Sequence, residues 1–476
     1  MPLPKADTLA PVAELLACLR ADQQAVIQPQ GREVFIARAP GRLDVMGGIA
    51  DYTGSLVCEM PLAEAAACAL QQRDDHTLMI HSYNQSGAAG RFQMALGDFS
   101  GTASLLPLAD VRKLFTGANH WAGYVAGAYY ILRKYRHLSP QALGANIAIY
   151  STVPLGGGVS SSAALEVAAL SAIVAAYHIV LDPLELAVLA QRVENEVVGA
   201  PCGVMDQVTS ALGKENQLLL LHCQPHTIEG YSALPAGVTM LGINSGVKHS
   251  VGGSAYRDTR VAAFMAHGIL LRLLKDLGVD HDPLQGYLAN VPAEAYRQRI
   301  RALLPVEMRG QDYLDQYGPT VDKVTSVDPN RVYHVQAAAD HHVLEAQRVR
   351  DFVALLMDTK AGSVENLTQA GALMLAAHES YGNNAKLGCA ETDLLVRLVM
   401  ARGPKQGFYG AKITGGGSGG TVAVLCQDTP ACAAAMGELV QAYQQQTGIV
   451  PQVLRGSSPG ATEVQVARYP SQALPG

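Results

Sequence analysis

The chain has 476 residues, enough to bury a large core and, by length alone, to form two or three domains. Its 35 Lys and Arg against 41 Asp and Glu leave a net charge of −6, which argues against an overall electrostatic footprint for nucleic acid. Eight cysteines are scattered without a CxxC pair, which argues against a zinc site or a dense disulfide framework and points to reduced thiols in a cytoplasm.

The first thirty residues carry Asp and Glu among short apolar stretches and lack a signal-peptide core, and no uninterrupted apolar run approaches a membrane span. VFIARAP, SLVCEMPL, TLMIHSY and ANIAIYS are short β-branched or apolar runs bounded by turn residues, so each reads as a strand. A helix is expected from near Ser160 through SSSAALEVAALSAIVAAYH, and a second over DPLELAVLAQRVENEVVG, opened by an Asp cap with Pro behind it and closed at Gly199. QLLLLHC and TMLGINSGV read as strands, and the stretch between them near 225–240, rich in Pro and Gly, marks the crossing into a second lobe. Three helical patterns follow near 254–278, 338–358 and 362–380, then a strand-turn-strand in GFYGAKITGGGSGGTVAVLC and a final helix in TPACAAAMGELVQAYQQQTG. Residues 279–335 are irregular and read as an insertion. The expected division is an extension over 1–32, a first domain over 33–235 and a second over 236–476. Nothing in the sequence speaks to oligomeric state.

Glycine-rich and charged clusters carry the chemistry. PLGGGVSSSAAL follows a strand and runs into a helix. There Gly156, Gly157 and Gly158 let backbone approach an oligophosphate, the helix start offers N–H groups to an anion, and Ser160, Ser161 and Ser162 add hydroxyls for phosphate or Mg2+. No Gly-Lys-Ser/Thr follows the glycines, so this is not a Walker A loop. APGRLDVMGGIADYTG places Arg42, Asp44 and Asp51 in a glycine-dense stretch, which suits a strand end facing a cleft and equally a surface turn with solvated charges. Asp206, in GAPCGVMDQ, sits among apolar neighbours, where an Asp also serves as a cap or a buried acceptor. The five glycines between Thr414 and Thr421 are costly in chain entropy, so close approach to a ligand is expected of Gly415, Gly416 and Gly417.

Taken together and in this order, APGR…DY, PLGGGVSSSAALE and TGGGSGG resemble the three signature motifs of the GHMP kinases. PCGVMDQ, NSGVKHSVGGSAYRDTR and LMLAAHESY look like the galactokinase branch of that superfamily. The resemblance implies an α+β fold of two lobes, a ribosomal-S5-like N-terminal lobe and a ferredoxin-like C-terminal lobe, with ATP, Mg2+ and a sugar meeting between them. It implies Asp206 as the group that accepts the anomeric proton and Arg42 as the group that steadies developing charge. It also implies Ser161 and Glu194 as Mg2+ partners, and Asp51, Gly203 and Tyr256 as holders of sugar hydroxyls. No membrane or nucleic-acid partner is implied. Some proteins of this kind sense sugar and ATP without catalysis, but Arg42, Asp206 and the full glycine–serine loop together favour an enzyme.

The departures bear on the substrate. Galactokinases read Gly-Glu-His-Thr-Asp-Tyr where this sequence has Gly47-Gly48-Ile49-Ala50-Asp51-Tyr52. A site that trades polar groups at Gly48 and Ile49 for hydrogen and an apolar side chain suits a sugar without the C6 hydroxymethyl, since an unmatched buried polar group costs about 1–3 kcal/mol. ARAPGRLDVMGGIADY is similar to the kinase part of plant L-arabinokinases. An L-arabinose 1-kinase is therefore expected, with galactose, or a uronic acid or heptose, as alternatives. Trp121 in NHWAGYVAGAYY reads as core on a helix face, and His378 as structural.

Overall fold

The computed structural model describes residues 6, 9–28, 31–85, 90–101, 104–248 and 254–470. Its larger sheet has eight strands. β1 (Val34–Met46) pairs antiparallel with β2 (Leu56–Gln72), β2 with β5 (Ala145–Ser151), and β5 runs parallel to β3 (Thr77–Ser82), whose other edge holds β4 (Arg91–Ala95). β6 (Gln217–His222) occupies the first turn-proximal residues of β2, Leu56 to Glu59, and β7 (Thr227–Ala233) pairs with β6. The smaller sheet, all antiparallel, has β8 (Val238–Asn244), β11 (Phe408–Ile413), β12 (Thr421–Gln427) and β13 (Gln452–Leu454) in the order β11-β12-β8-β13. Two-residue strands β9 (Met308–Arg309) and β10 (Val332–Tyr333) form a hairpin in the 279–335 segment, and β14 (Ala467–Tyr469) returns to pair with β1 of the first sheet.

Helices α1 (Val12–Ala21), α2 (Leu108–Val111), α3 (Gly123–Lys134), α4 (Ser161–Ala176), α5 (Pro183–Arg192) and α6 (Met205–Leu212) belong with the first sheet. α7 (Ser254–Asp276), α8 (Ala293–Ala295), α9 (Gly310–Tyr317), α10 (Val335–Met357), α11 (Val364–Asn383), α12 (Ala390–Arg402) and α13 (Pro430–Thr447) make up most of the rest. None of the helices among the described residues is long and apolar enough to cross a membrane. α4 is apolar all round and buried on nearly every face, as a helix threaded through the middle of a core must be.

Several elements depart from their expected extents. β2 runs on through AEAAACALQQ, an alanine-rich stretch that favours helix by propensity but lies between β1 and β5, where burial on both sides overrides that preference. β1 does not stop at the APGR motif. It passes through it with register shifts between Pro40 and Arg42 and between Asp44 and Met46, bulges that re-aim the side chains there. The stretch near 225–240 contains β7, so the chain leaves the first sheet only after Ala233. Residues 279–335 are not loosely appended. Leu288, Tyr296, Tyr313 and Tyr333 close a small core with Val261 and Met265 of α7 and Ala339 of α10. α1 likewise lays Val12, Leu15 and Leu16 on Ile36, Ala67 and Ala148.

Candidate active site

The bulge in β1 turns Arg42 inward, where it is 2% exposed. Its Nη2 donates to Asp206 Oδ1 at 2.5 Å, its Nη1 to the Gly158 carbonyl at 3.1 Å, and its Nε lies 3.1 Å from Glu59 Oε2 on β2. Burial opposes the guanidinium charge, but Asp206, Glu59 and Asp44 outweigh it and hold Arg42 well above its ordinary value. Glu59, fully buried, is a member of this site that sequence reading missed. It sits in an apolar strand, SLVCEMPL, with no motif to mark it, and burial together with the Asp44 charge pushes its carboxyl well up.

The phosphate loop follows β5. Gly156 and Gly158 take φ of 70° and 69°, and Ser160, at the start of α4, takes φ 60°. These left-handed residues curl the chain so that α4 points its N-terminus into a cleft of about 350 Å³ lined by Arg42, Gly156, Gly158, Ser160, Ser161, Ser162, Glu194 and Asp206, among others. Ser160 Oγ is buried and has no partner, an orphan hydroxyl that a phosphate oxygen would satisfy. Gly157 is not on the cleft wall; its carbonyl accepts from Thr421 Oγ1 at 2.7 Å. The second glycine run, between β11 and β12, packs backbone to backbone on this loop. A Cβ at Gly415 would lie 2.5 Å from the Gly158 carbonyl and one at Gly420 2.8 Å from the Gly157 carbonyl. The close approach expected of these glycines is therefore first of all to each other's loop. Gly415 and Gly416 reach the cleft, while Gly417 backs onto Leu387 and Tyr381.

Opposite the glycine loops lies a cluster of carboxyls. Glu194 sits in a π-helical turn after α5, its carboxyl bonded by Gln207 Nε2 (2.7 Å) and by the Ser162 hydroxyl. Ser161 and Glu194, both expected as Mg2+ partners, line the same cleft, and the hydroxyl that reaches the Glu194 carboxyl is that of Ser162, next along the helix. Burial and the Asp206 charge push Glu194 up to about 7, and Glu166 beside it, held by the same Gln207 amide (3.1 Å), is pushed well up by burial and by Glu194. Buried acids raised in this way fit a cation. Among the described residues no group of three or more His, Cys, Asp or Glu is placed to hold a metal.

At the far end Asp51 accepts from the backbone N–H groups of Tyr52 (2.8 Å) and Met205. Burial and the Asp206 charge push its carboxyl up to about 6. Gly203 must be glycine, because a Cβ would come 1.7 Å from Asp51 Oδ2. Ile49, Asp51, Gly203 and Tyr256 all line the cleft, but Gly48 does not: its open side faces Tyr381 and Asp44. Residues 249–253 of the NSGVKHSVGGSAYRDTR motif lie outside the described residues. Arg260, also from that motif, is clamped by two bonds to Asp322 (2.8 and 2.9 Å) and stacks over the Tyr52 ring at 4.7 Å.

A side cavity of about 180 Å³ opens off the phosphate loop between Trp121, Tyr124, Tyr150, Leu155 and Leu165, sharing Ser161 and Ser162 with the main cleft. Trp121, expected in the core, packs against it and lines this cavity as well. His378, read as structural, accepts the Ile413 N–H on Nδ1 at 3.3 Å and has its Nε2 3.2 Å from Asp393, tying α11 to β11 and α12.

This arrangement can be set against known proteins. The family described as GHMP kinases N terminal domain matches residues 123–214. A galactokinase of Pasteurella multocida is 30% identical over 86% of this chain and 90% of its own length. The chain belongs to the GHMP kinases, in their galactokinase-like branch. An L-arabinokinase of Arabidopsis thaliana is 40% identical over 90% of this chain, which spans 46% of that relative's length. A galactokinase of Lactococcus lactis solved with galactose superposes with a TM-score of 0.70 at 20% identity, covering 95% of this chain and 98% of that one. The α+β two-lobed GHMP kinase fold is thus shared, and the βαββαβ order of the smaller sheet is its ferredoxin-like lobe.

Proposed function

We propose that this GHMP kinase transfers the γ-phosphoryl group of ATP to the anomeric hydroxyl of L-arabinose, giving L-arabinose 1-phosphate and ADP. The observation that carries the reading is the Arg42–Asp206 pair, 2.5 Å apart, set between the phosphate loop and the Asp51 end of one cleft. The triphosphate would lie on Gly156, Gly158 and the start of α4, with Ser160 Oγ and the Gly415–Gly416 backbone beside it. The purine fits the aromatic side cavity at Trp121 and Tyr124. Glu194 with Ser161 and Ser162 would hold Mg2+, which when bound neutralises charge on the phosphates.

Asp206 takes the proton from O1 of the sugar, O1 forms its bond to the γ-phosphorus, and the bond from that phosphorus to the β–γ bridging oxygen breaks to release ADP. Arg42, already fixed by Glu59 and the Gly158 carbonyl, donates to the oxygens on which charge develops. Asp51, Gly203 and Tyr256 border the sugar, and Ile49 offers it an apolar wall where a hydroxymethyl would need a polar partner. The L-arabinokinase similarity and the apolar Ile49 wall support the pentose; the galactokinase relatives keep galactose as the competing substrate. Eight free thiols, six of them buried, suit a reducing cytoplasm.

The test is ADP release with MgATP and L-arabinose, D-galactose, D-glucuronate or no sugar. A kcat/KM on L-arabinose well above that on galactose is expected. Galactose preference would keep the phosphoryl transfer and overturn the substrate, and sugar binding without ADP release would replace the enzyme by a sensor.

A further inference from the structure

Behind the sugar end of the cleft, the loop from Gly47 to Ala50 is held by two helices that no sequence motif connects with it. Ile49 takes φ 56°. For a β-branched residue this left-handed conformation is strained, and it persists only where the surroundings over-determine it. The surroundings here are fully buried side chains of α10. Glu345 Oε1 accepts from the Gly47 N–H at 3.2 Å, and His341 Nε2 donates to the Gly48 carbonyl at 3.3 Å while its Nδ1 accepts from Ser380 Oγ at 3.0 Å. His342 Nδ1 lies 2.7 Å from the Ala338 carbonyl, and its Nε2 lies 3.1 Å from the Ile49 carbonyl and 2.9 Å from the Tyr52 hydroxyl, a direct contact with the backbone of residue 49. Burial pushes both imidazoles down to about 3, so each is neutral.

From the other side comes Tyr381 of α11, 0% exposed, edge-on to His341 with ring centroids 5.1 Å apart. Its hydroxyl donates to the Gly415 carbonyl at 2.7 Å, and so ties the sugar loop to the glycine loop at the phosphate end. It also fills the space in which a side chain at position 48 would begin. A Cβ on Gly48 would lie 1.8 Å from Tyr381 Oη and 2.2 Å from Asp44 Oδ2, and that carboxylate is itself held by Lys412 at 2.9 Å and by the Gly415 N–H at 3.0 Å. Residue 48 can therefore send nothing toward the cleft, and residue 49 alone forms the wall.

We propose that Tyr381 and His341 are positioning residues for sugar selectivity: they lock the 47–49 loop so that Ile49 faces the substrate, and Tyr381 excludes any side chain at 48, which fits the site to a pyranose lacking the exocyclic hydroxymethyl. The proposal deepens the sugar-kinase reading and rests on it. It makes positions 48, 49 and 381 one unit, so that the galactokinase-like pair Glu-His cannot be installed at 48 and 49 alone.

The experiment compares the wild type with Gly48→Glu, Tyr381→Leu, Gly48→Glu/Tyr381→Leu and Ile49→His, reading the thermal midpoint and the ratio of kcat/KM for D-galactose over L-arabinose. Gly48→Glu alone is expected to lower the midpoint and to cut kcat/KM on both sugars by about tenfold or more, and adding Tyr381→Leu to restore the midpoint toward the wild type and raise the galactose ratio about tenfold. Ile49→His needs no space behind the loop, and His tolerates the left-handed region better than Ile. It is expected to lower the midpoint, since Ile49 is 1% exposed in an apolar cluster with Tyr256, Leu387 and Ile413, and to raise the ratio by itself. A Gly48→Glu protein with wild-type midpoint and ratio, a double variant no more stable than Gly48→Glu, or an Ile49→His protein with an unmoved ratio would each overturn the proposal. A wild type that turns over neither sugar would overturn the sugar-kinase reading instead, and the midpoints would still decide whether 48 and 381 compete for one space.

Discussion

The two ends of the cleft are made of different material. At the end proposed for phosphate the contacts are main chain: Gly156 and Gly158 in left-handed turns, the start of α4, and a second glycine loop packed against the first through the Gly157 and Gly158 carbonyls. At the end proposed for the sugar they are side chains from scattered elements, with Asp51 braced by α6, Tyr52 by His342 of α10, and Arg260 by Asp322 of the 279–335 segment. Oligophosphates present the same charge and shape whatever they carry, so backbone N–H groups suffice for them. Sugars differ by single hydroxyls, and telling them apart needs polar side chains held rigidly in place. Arg42 and Asp206 stand at the junction of the two.

The junction should be the most sensitive place in the molecule. Asp206→Asn is expected to fold as the wild type does and to lower kcat by roughly 10²–10⁴-fold with both substrates still bound, because what is lost is the proposed proton acceptor of the transition state. Near-native turnover by a folded Asp206→Asn protein would remove Asp206 from the chemistry.

The next largest effect is expected at the sugar end. Asp322→Ala leaves the Arg260 guanidinium, 4% exposed, without its carboxylate, and breaking a buried pair from one side costs about 3–5 kcal/mol. If the sugar end is built as described, the KM for the sugar rises while the KM for ATP stays put. A variant in which both KM values move together would show that the inserted segment supports the whole cleft rather than one end of it.

Gly415→Ala probes the opposite end. Its Cβ meets the Gly158 carbonyl at 2.5 Å and its φ of 68° is strained for any residue with a side chain, so a loss of about 1–3 kcal/mol is expected. Here the KM for ATP should rise and that for the sugar should not, the mirror image of Asp322→Ala. Isothermal titration with an ATP analogue and with each sugar separately would check both.

The same contrast explains how much could be read from the sequence. The phosphate end is contiguous: PLGGGVSSSAAL carries its loop, its helix start and its hydroxyls within one dozen residues, and the α+β class entered through the family resemblance that such motifs carry. The glycines of 415–420 were legible as a close approach, but not as an approach to another loop, since a glycine's tolerance does not say what comes near it. The sugar end is assembled across some 290 residues of chain, from Gly48 to His341 and beyond to Tyr381. Gly48 read as a gap in the sugar wall, whereas the gap is filled from behind by Tyr381, a contact that no local pattern encodes. Glu59 was silent for a related reason, because a single acid in an apolar strand marks nothing until the neighbouring strand places an arginine beside it. The alanine-rich half of β2 went unassigned, because its helical propensity points away from the strand that its place between β1 and β5 imposes.

The smallest effect is also at the sugar end, and it has the opposite sign. Asp51 is pushed up to about 6 from an ordinary 3.8 by burial and by the Asp206 charge. A carboxyl raised in the folded state contributes stability that is fully present below about 4 and is lost as the pH rises through about 6, because above that the folded protein must carry a buried charge that the unfolded chain carries freely in water. Asp51→Asn removes the ionisation, so at pH 8 the variant should be more stable than the wild type, by something on the order of 1 kcal/mol, while at pH 4 the two should unfold alike. The gain comes at the expense of binding. An ionised Asp51 accepts hydrogen bonds from sugar hydroxyls better than a protonated one does. The wild-type kcat/KM for the sugar should therefore fall as the pH drops through about 6, with release of a proton on sugar binding in that range, and Asp51→Asn should bind weakly at every pH. Thermal melts at pH 4 and pH 8 together with a pH profile of kcat/KM separate this from a merely structural role, which would lower stability at both pH values and leave the profile unchanged.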